Sequence, residues 1–130
     1  MKTLSQIAPS GTFLDSAQIR ALIAQACPAK EYKDRRVLLI VPDATRTCPL
    51  DTLFAGLHAQ IGSATAAFDV MIALGTHQPM SEEAIRERLG ISLEERRGKY
   101  GGVRFFNHEC GARAVARSYA APALSNCPCA

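Results

Sequence analysis

Apolar positions along the chain change their period several times, and each change marks an element. Ile19, Leu22, Ile23 and Ala26 recur at helical spacing behind Asp15, whose partner Gln18 three residues on is the signature of a capped helix start. Cys27-Pro28 ends that pattern. After the charged segment KEYKDRR, Val37 to Val41 form an unbroken apolar run rich in branched side chains, as expected of a strand covered on both faces in a parallel sheet. Leu50, Leu53, Phe54, Leu57 and Ile61 return to one helical stripe, with Pro49 suited to the first turn and Gly62 to the end. Phe68 to Leu74 (FDVMIAL) is a second apolar run, closed by Gly75. Ser81, Glu82 and Glu83 open a third helix that stops at Gly90, and Ser92 with Glu95 forms a capping box for a short fourth. Gly101-Gly102 turns the chain into VRFFNH, which reads as a third strand.

Helices alternating with strands predict an α/β fold, a Rossmann-like parallel sheet with flanking helices and right-handed crossovers. No internal repeat is evident. Residues 1–109 read as the α/β domain, and 110–130 as a divergent tail rich in Ala and Cys, without an acidic residue. No fourth strand follows VRFFNH, so the expectation is an incomplete N-terminal domain.

Composition narrows the classes. With 130 residues, 48% of them hydrophobic, the chain can bury a real core. Its 15 basic and 12 acidic residues are mixed, giving a net charge of +3 without a basic block, which argues against a nucleic-acid partner. No apolar run has the length of a signal-peptide core or a membrane span, so a soluble cytoplasmic protein is expected. Cys27 and Cys48 stand apart from the other three of the five cysteines, which favours reduced thiols over a disulfide framework.

In parallel α/β sheets ligands gather outside the carboxyl ends of the strands. Two loops qualify here, DATRTCP after the first strand and GTHQPMS after the second, and if those strands are neighbours Asp43, Thr45, Arg46 and His77 reach one edge. A helix start beginning at Thr47-Cys48-Pro49 offers free N–H groups, and Arg46 adds a planar fork suited to carboxylate or phosphate. His77, carried past the turn at Gly75, is the candidate acid/base. The competing reading is structural: Asp43 and Thr45 capping a turn, Arg46 pairing with Asp43 or Asp51, and His77 as an ordinary loop histidine. Neither phosphate-cradle motif, GxGxxG or GxxxxGK[ST], is present. His58 sits at the margin of a helical stripe and His108 at a strand end. His108, Cys110, Cys127 and Cys129 lack the two CxxC pairs of a zinc ribbon, so no metal ligands are assigned. Glu82 and Arg86 have the spacing of a solvated i,i+4 pair.

Taken in order, VLLIVPDATRTCP, MIALGTHQPMSEEAIRERLG and VRFFNHE resemble the N-terminal domain of the lactate racemase family over residues 30 to 109. The pair D-x-T-R-x-x-P and G-x-H-x-P carries the resemblance. It implies racemisation or epimerisation of a 2-hydroxy acid by hydride transfer to a nickel-pincer nucleotide. Asp43, Ala44, Thr45 and Arg46 match the loop that meets the cofactor, with Arg46 also placed to hold the substrate carboxylate, and His77 matches a histidine that exchanges the hydroxyl proton. The second such histidine, the lysine that tethers the cofactor and the histidine that ligates nickel come later in the family, in a region this chain does not contain. The chain alone is therefore expected to be a truncated, inactive half, completed by a separate chain if at all. The alternatives are a non-catalytic nucleotide- or anion-binding module acting with a partner chain, and a degenerate fragment.

Overall fold

A computed structural model of the protein describes residues 4–108. The tail expected over 110–130, including Cys110, Cys127 and Cys129, lies outside the described residues. Helix α1 spans Ser16–Ala26 and opens with the expected capping box between Asp15 and Gln18. A 3-10 turn, Ala29–Tyr32, then leads into strand β1, Arg36–Pro42. Helix α2 covers Leu50–Ile61, β2 Ala67–Ala73, α3 Glu82–Arg88, α4 Leu93–Arg97 and β3 Phe105–Asn107. The three strands form one parallel sheet in the order β1-β2-β3. This is the α/β fold the alternation predicts.

Several local expectations need adjustment. Pro49 is the cap of α2 rather than part of its first turn, and no side chain caps this helix. The 3-10 turn lies inside a charged segment with no helical stripe to announce it. Glu82 pairs with Arg96 (3.0 Å) instead of Arg86, whose guanidinium donates to the Ile91 carbonyl (3.2 Å). The turn between α3 and α4 brings α4 back beside α3, so a tertiary partner outcompetes the i,i+4 neighbour.

One face of the sheet supplies the core. Val41, Phe68, Val70, Ile72 and Leu74 pack with Leu50, Phe54 and Ile61 of α2 and with Ile85, Leu89, Ile91, Tyr100 and Val103 beyond β2. Helix α1 reaches this layer through α2: a Cβ at Gly56 would stand 2.7 Å from Ile23 Cδ1, so any side chain there would displace the end of the Ile23 side chain. The expectation that β1 is covered on both faces fails. Val41 is buried, whereas Ile40, pointing the other way, is 58% exposed among the described residues. Among the described residues β1 is an edge strand whose core-facing side is covered by α2 and whose other side is left open at Ile40.

Asp69 interrupts the second apolar run and is only 1% exposed. Its carboxylate accepts from the Arg104 backbone N–H (3.1 Å) and from Arg104 Nε (3.0 Å) and Nη2, fastening the segment before β3 to β2. At the other pole of α2, His58 sits against Phe68 (5.4 Å between centroids) and Tyr100 (4.8 Å), beside Phe54. Burial, assisted by the Lys99 charge, pushes its pKa below the ordinary histidine value. No helix among the described residues is long and apolar enough to cross a membrane.

Two consequences follow for stability. Phe54 is the hub of the aromatic cluster, and Phe54→Ala should cost about 3–5 kcal/mol in a denaturant-unfolding measurement. Because the folded-state pKa of His58 is depressed, the unfolded chain takes up the proton first as pH falls. Stability present at pH 7.5 should therefore decline as pH drops through about 6.5. Comparison of the melting temperature at pH 7.5 and 5.5 reads this directly, and His58→Phe should reduce the difference.

Candidate active site

The register of β1 and β2 sets the site. Pairing runs from Arg36↔Ala67 to Pro42↔Ala73, so the two strands end level and their loops leave from the same edge. Asp43 is the first residue past β1. His77 follows Leu74 and Gly75, and Gly75 takes φ +58°, a conformation L side chains disfavour, to reverse the chain. The turn is closed by the His77 backbone N–H donating to the Leu74 carbonyl (3.0 Å). This geometry carries the His77 ring across the strand ends to Asp43.

The two side chains meet directly. His77 Nδ1 bonds Asp43 Oδ2, while Asp43 Oδ1 accepts from the Thr45 backbone N–H (3.1 Å) and the Thr45 hydroxyl (2.6 Å). Asp43 is 6% exposed, and the hydrogen bond from the Thr45 hydroxyl, followed by that from His77, lowers its pKa to about 2 against the opposing effect of desolvation. A carboxylate can only accept, so Nδ1 carries the proton of the pair. In the neutral imidazole Nε2 is then the free acceptor, on a side chain that is 55% exposed.

Ala44 and Thr45 occupy the turn after Asp43, and Arg46 closes it, its N–H reaching the Asp43 carbonyl at 3.4 Å. The expected alternative in which Arg46 neutralises Asp43 or Asp51 is not realised. Asp43 is taken by Thr45 and His77, and the exposed Arg46 guanidinium has no hydrogen-bond or ion-pair partner among the described residues. Its backbone carbonyl accepts instead from Arg88 Nη2 at the end of α3. Helix α2 begins just beyond, with an N-terminus that no side chain caps.

His58 and His108 stay out of this constellation. The first belongs to the aromatic cluster; the second continues the β2–β3 ladder through its backbone N–H to the Ile72 carbonyl (2.8 Å), with no side-chain bond to the Asp43–His77 pair. No group of three or more His, Cys, Asp and Glu among the described residues could hold a metal ion. A groove of about 650 Å³ lies between α3 and α4, is lined by charged residues around Leu93 and shares no residue with the two loops. Sequence reasoning missed two residues that hold the loops. These are Arg88, and Asn107, whose amide binds both the N–H (3.0 Å) and the carbonyl (2.8 Å) of Met80. No local pattern marks either, because both act on backbone far away in sequence.

Fold and site together define a parallel α/β domain whose candidate ligand site is built by the loops after two adjacent strands. The lactate racemase N-terminal domain matches this chain over residues 15–117, and the chain belongs to that family. It therefore carries the N-terminal domain of a lactate racemase-like protein. A similar crystal structure, of a protein from Thermotoga maritima solved by a structural genomics consortium, superposes with a TM-score of 0.59 at 28% identity. That match covers 74% of this chain and 22% of the other, so the chain spans under a quarter of its structural relative. No curated protein matches.

A carbon-detected titration of the Asp43 carboxyl group should give a midpoint of about 2. Thr45→Val should raise it more than His77→Gln does, since the Thr45 hydroxyl is the larger cause. A wild-type midpoint at the ordinary value of about 3.9 would contradict the pairing. With the folded-state value depressed, this carboxylate contributes stability above pH ~4 that is lost as pH falls toward 2.

Proposed function

We propose that Asp43, Arg46 and His77 form part of a site at which a 2-hydroxy acid is racemised or epimerised. The observation that carries this reading is the Asp43–His77 pair standing over the strand ends, followed by an arginine with no ion-pair partner among the described residues. Arg46 holds the substrate carboxylate through its planar fork. His77 Nε2 accepts the hydroxyl proton as the carbinol carbon flattens toward a ketone, and returns it in the reverse direction. Asp43 fixes the Nδ1–H tautomer and stabilises the imidazolium while the proton is held.

The family's nickel-pincer nucleotide fits the described residues in part. Arg46, the backbone at Ala44 and the uncapped start of α2 would hold anionic groups of the nucleotide. No cluster of three or more His, Cys, Asp and Glu among the described residues would hold the metal by itself. When bound, the group supplies the hydride acceptor for the substrate's C2 hydrogen. Racemisation needs a proton acceptor on each face of the flattened centre, and His77 provides one. A second must come from outside the described residues, either from further polypeptide or from a separate chain.

A second reading, a non-catalytic anion- or nucleotide-binding module, is favoured by the uncapped α2 N-terminus together with Arg46. A nuclear magnetic resonance titration of the chain separates the two. Lactate of either hand should shift the His77 and Arg46 side-chain signals, with Arg46→Ala weakening the interaction about tenfold or more. Equal response to inorganic phosphate, without movement of the His77 ring, would replace the racemase reading by the anion-binding one. In an assembled holoenzyme, His77→Ala should lower kcat for one enantiomer by about 10²- to 10⁴-fold. Unchanged rates in both directions would remove His77 from the mechanism.

A further inference from the structure

Asn107 ends β3, and its side-chain amide grips Met80 at two points: the Met80 N–H donates to Oδ1 (3.0 Å), and Nδ2 donates to the Met80 carbonyl (2.8 Å). β2 and β3 pair in register as far as Ile72↔Asn107, after which the chain following β2 leaves the sheet. The amide therefore ties the end of β3, through a side chain, to the segment just before α3. Neither the fold nor the resemblance assigns this residue a role.

We propose that Asn107 is a positioning residue for His77, holding the loop after β2 so that the imidazole stays on Asp43. The proposal rests on the reading of His77 as the proton acceptor given above. The loop leaves β2 at Ala73, turns through the bond from the His77 N–H to the Leu74 carbonyl, and enters α3 at its Ser81 cap. Between that turn and Met80 stand only Gln78 and Pro79, and the proline ring fixes its own φ. The His77 backbone is thus secured on both sides within a few residues, and the ring is ordered before any ligand arrives.

Removing the amide would deprive the Met80 N–H and carbonyl of these partners and leave the loop to pivot on the Leu74 turn. The imidazole would then engage Asp43 in part of the population. Asparagine suits the task because it sets a donor and an acceptor on one planar group. Leucine of similar size offers neither, and serine is too short to span both contacts.

The test uses the chain itself, comparing Asn107→Leu and Asn107→Ser with wild type by amide hydrogen exchange and by titration of the Asp43 carboxyl group. Exchange at His77 and Met80, whose N–H groups are the hydrogen-bonded ones of this loop, should rise about tenfold or more while that at Val70 to Ile72 stays within about twofold. The Asp43 midpoint should move upward as its His77 bond is lost from part of the molecules. An Asp43 midpoint unmoved in both variants, or exchange rising equally through loop and sheet, would overturn the proposal. Should Asn107→Leu fail to fold, the same two readings on Asn107→Ser decide. Neither readout involves a ligand, so failure of lactate to bind would count against the racemase reading and leave this role of Asn107 standing.

Discussion

The parallel pairing of β1 with β2 is the constraint on which the rest depends. Seven rungs, Arg36↔Ala67 to Pro42↔Ala73, bring the two strands out level, so that residues 34 apart in sequence meet at one edge. A slip of one residue would turn Val41 and its neighbours from the core to the opposite face and draw Asp43 away from the loop after β2. Burial of Val41, Val70 and Ile72 against α2 therefore secures the register and the site together. Stability and chemistry here share one cause.

The candidate site gathers charged and polar groups just beyond the carboxyl ends of β1 and β2. Asp43 is buried, but three hydrogen bonds satisfy its oxygens, so it stays ionised where a bare carboxylate would be costly. With Asp43 committed to Thr45 and His77, the Arg46 guanidinium has no ion-pair partner among the described residues. Both loops are then tied down from the following βα unit, the first through Arg88 on α3 and the second through Asn107 on β3. Loops that carry function are often the mobile part of a fold, and these tethers set the two apart from that pattern.

Local signals were legible where the physics is local. The capping boxes at Asp15/Gln18 and Ser92/Glu95, the Ser81 cap, the glycine turn at Gly75 and the runs around Val41 and Val70 all rest on neighbours a few residues apart, and each is found where the pattern puts it. The two site loops were legible because the strand-end rule places ligands there. Contacts set by tertiary approach were not legible: the Asp43–His77 bond, the Asp69–Arg104 clamp inside an apparently apolar run, the Glu82–Arg96 pair and the side-chain grip on Met80. The exposure of Ile40 belongs to the same class, since the elements packed on the sheet rather than the strand's own sequence decide which faces are covered.

Adjacent strand ends hold the His77 ring in one orientation, its Nδ1 committed to Asp43 and its Nε2 without a partner among the described residues. Long-range proton–nitrogen correlation spectra of the neutral imidazole measure this most directly. The account predicts the proton of His77 on Nδ1, with Nε2 showing the shift of an unprotonated ring nitrogen. A His77 ring carrying its proton on Nε2 would contradict it.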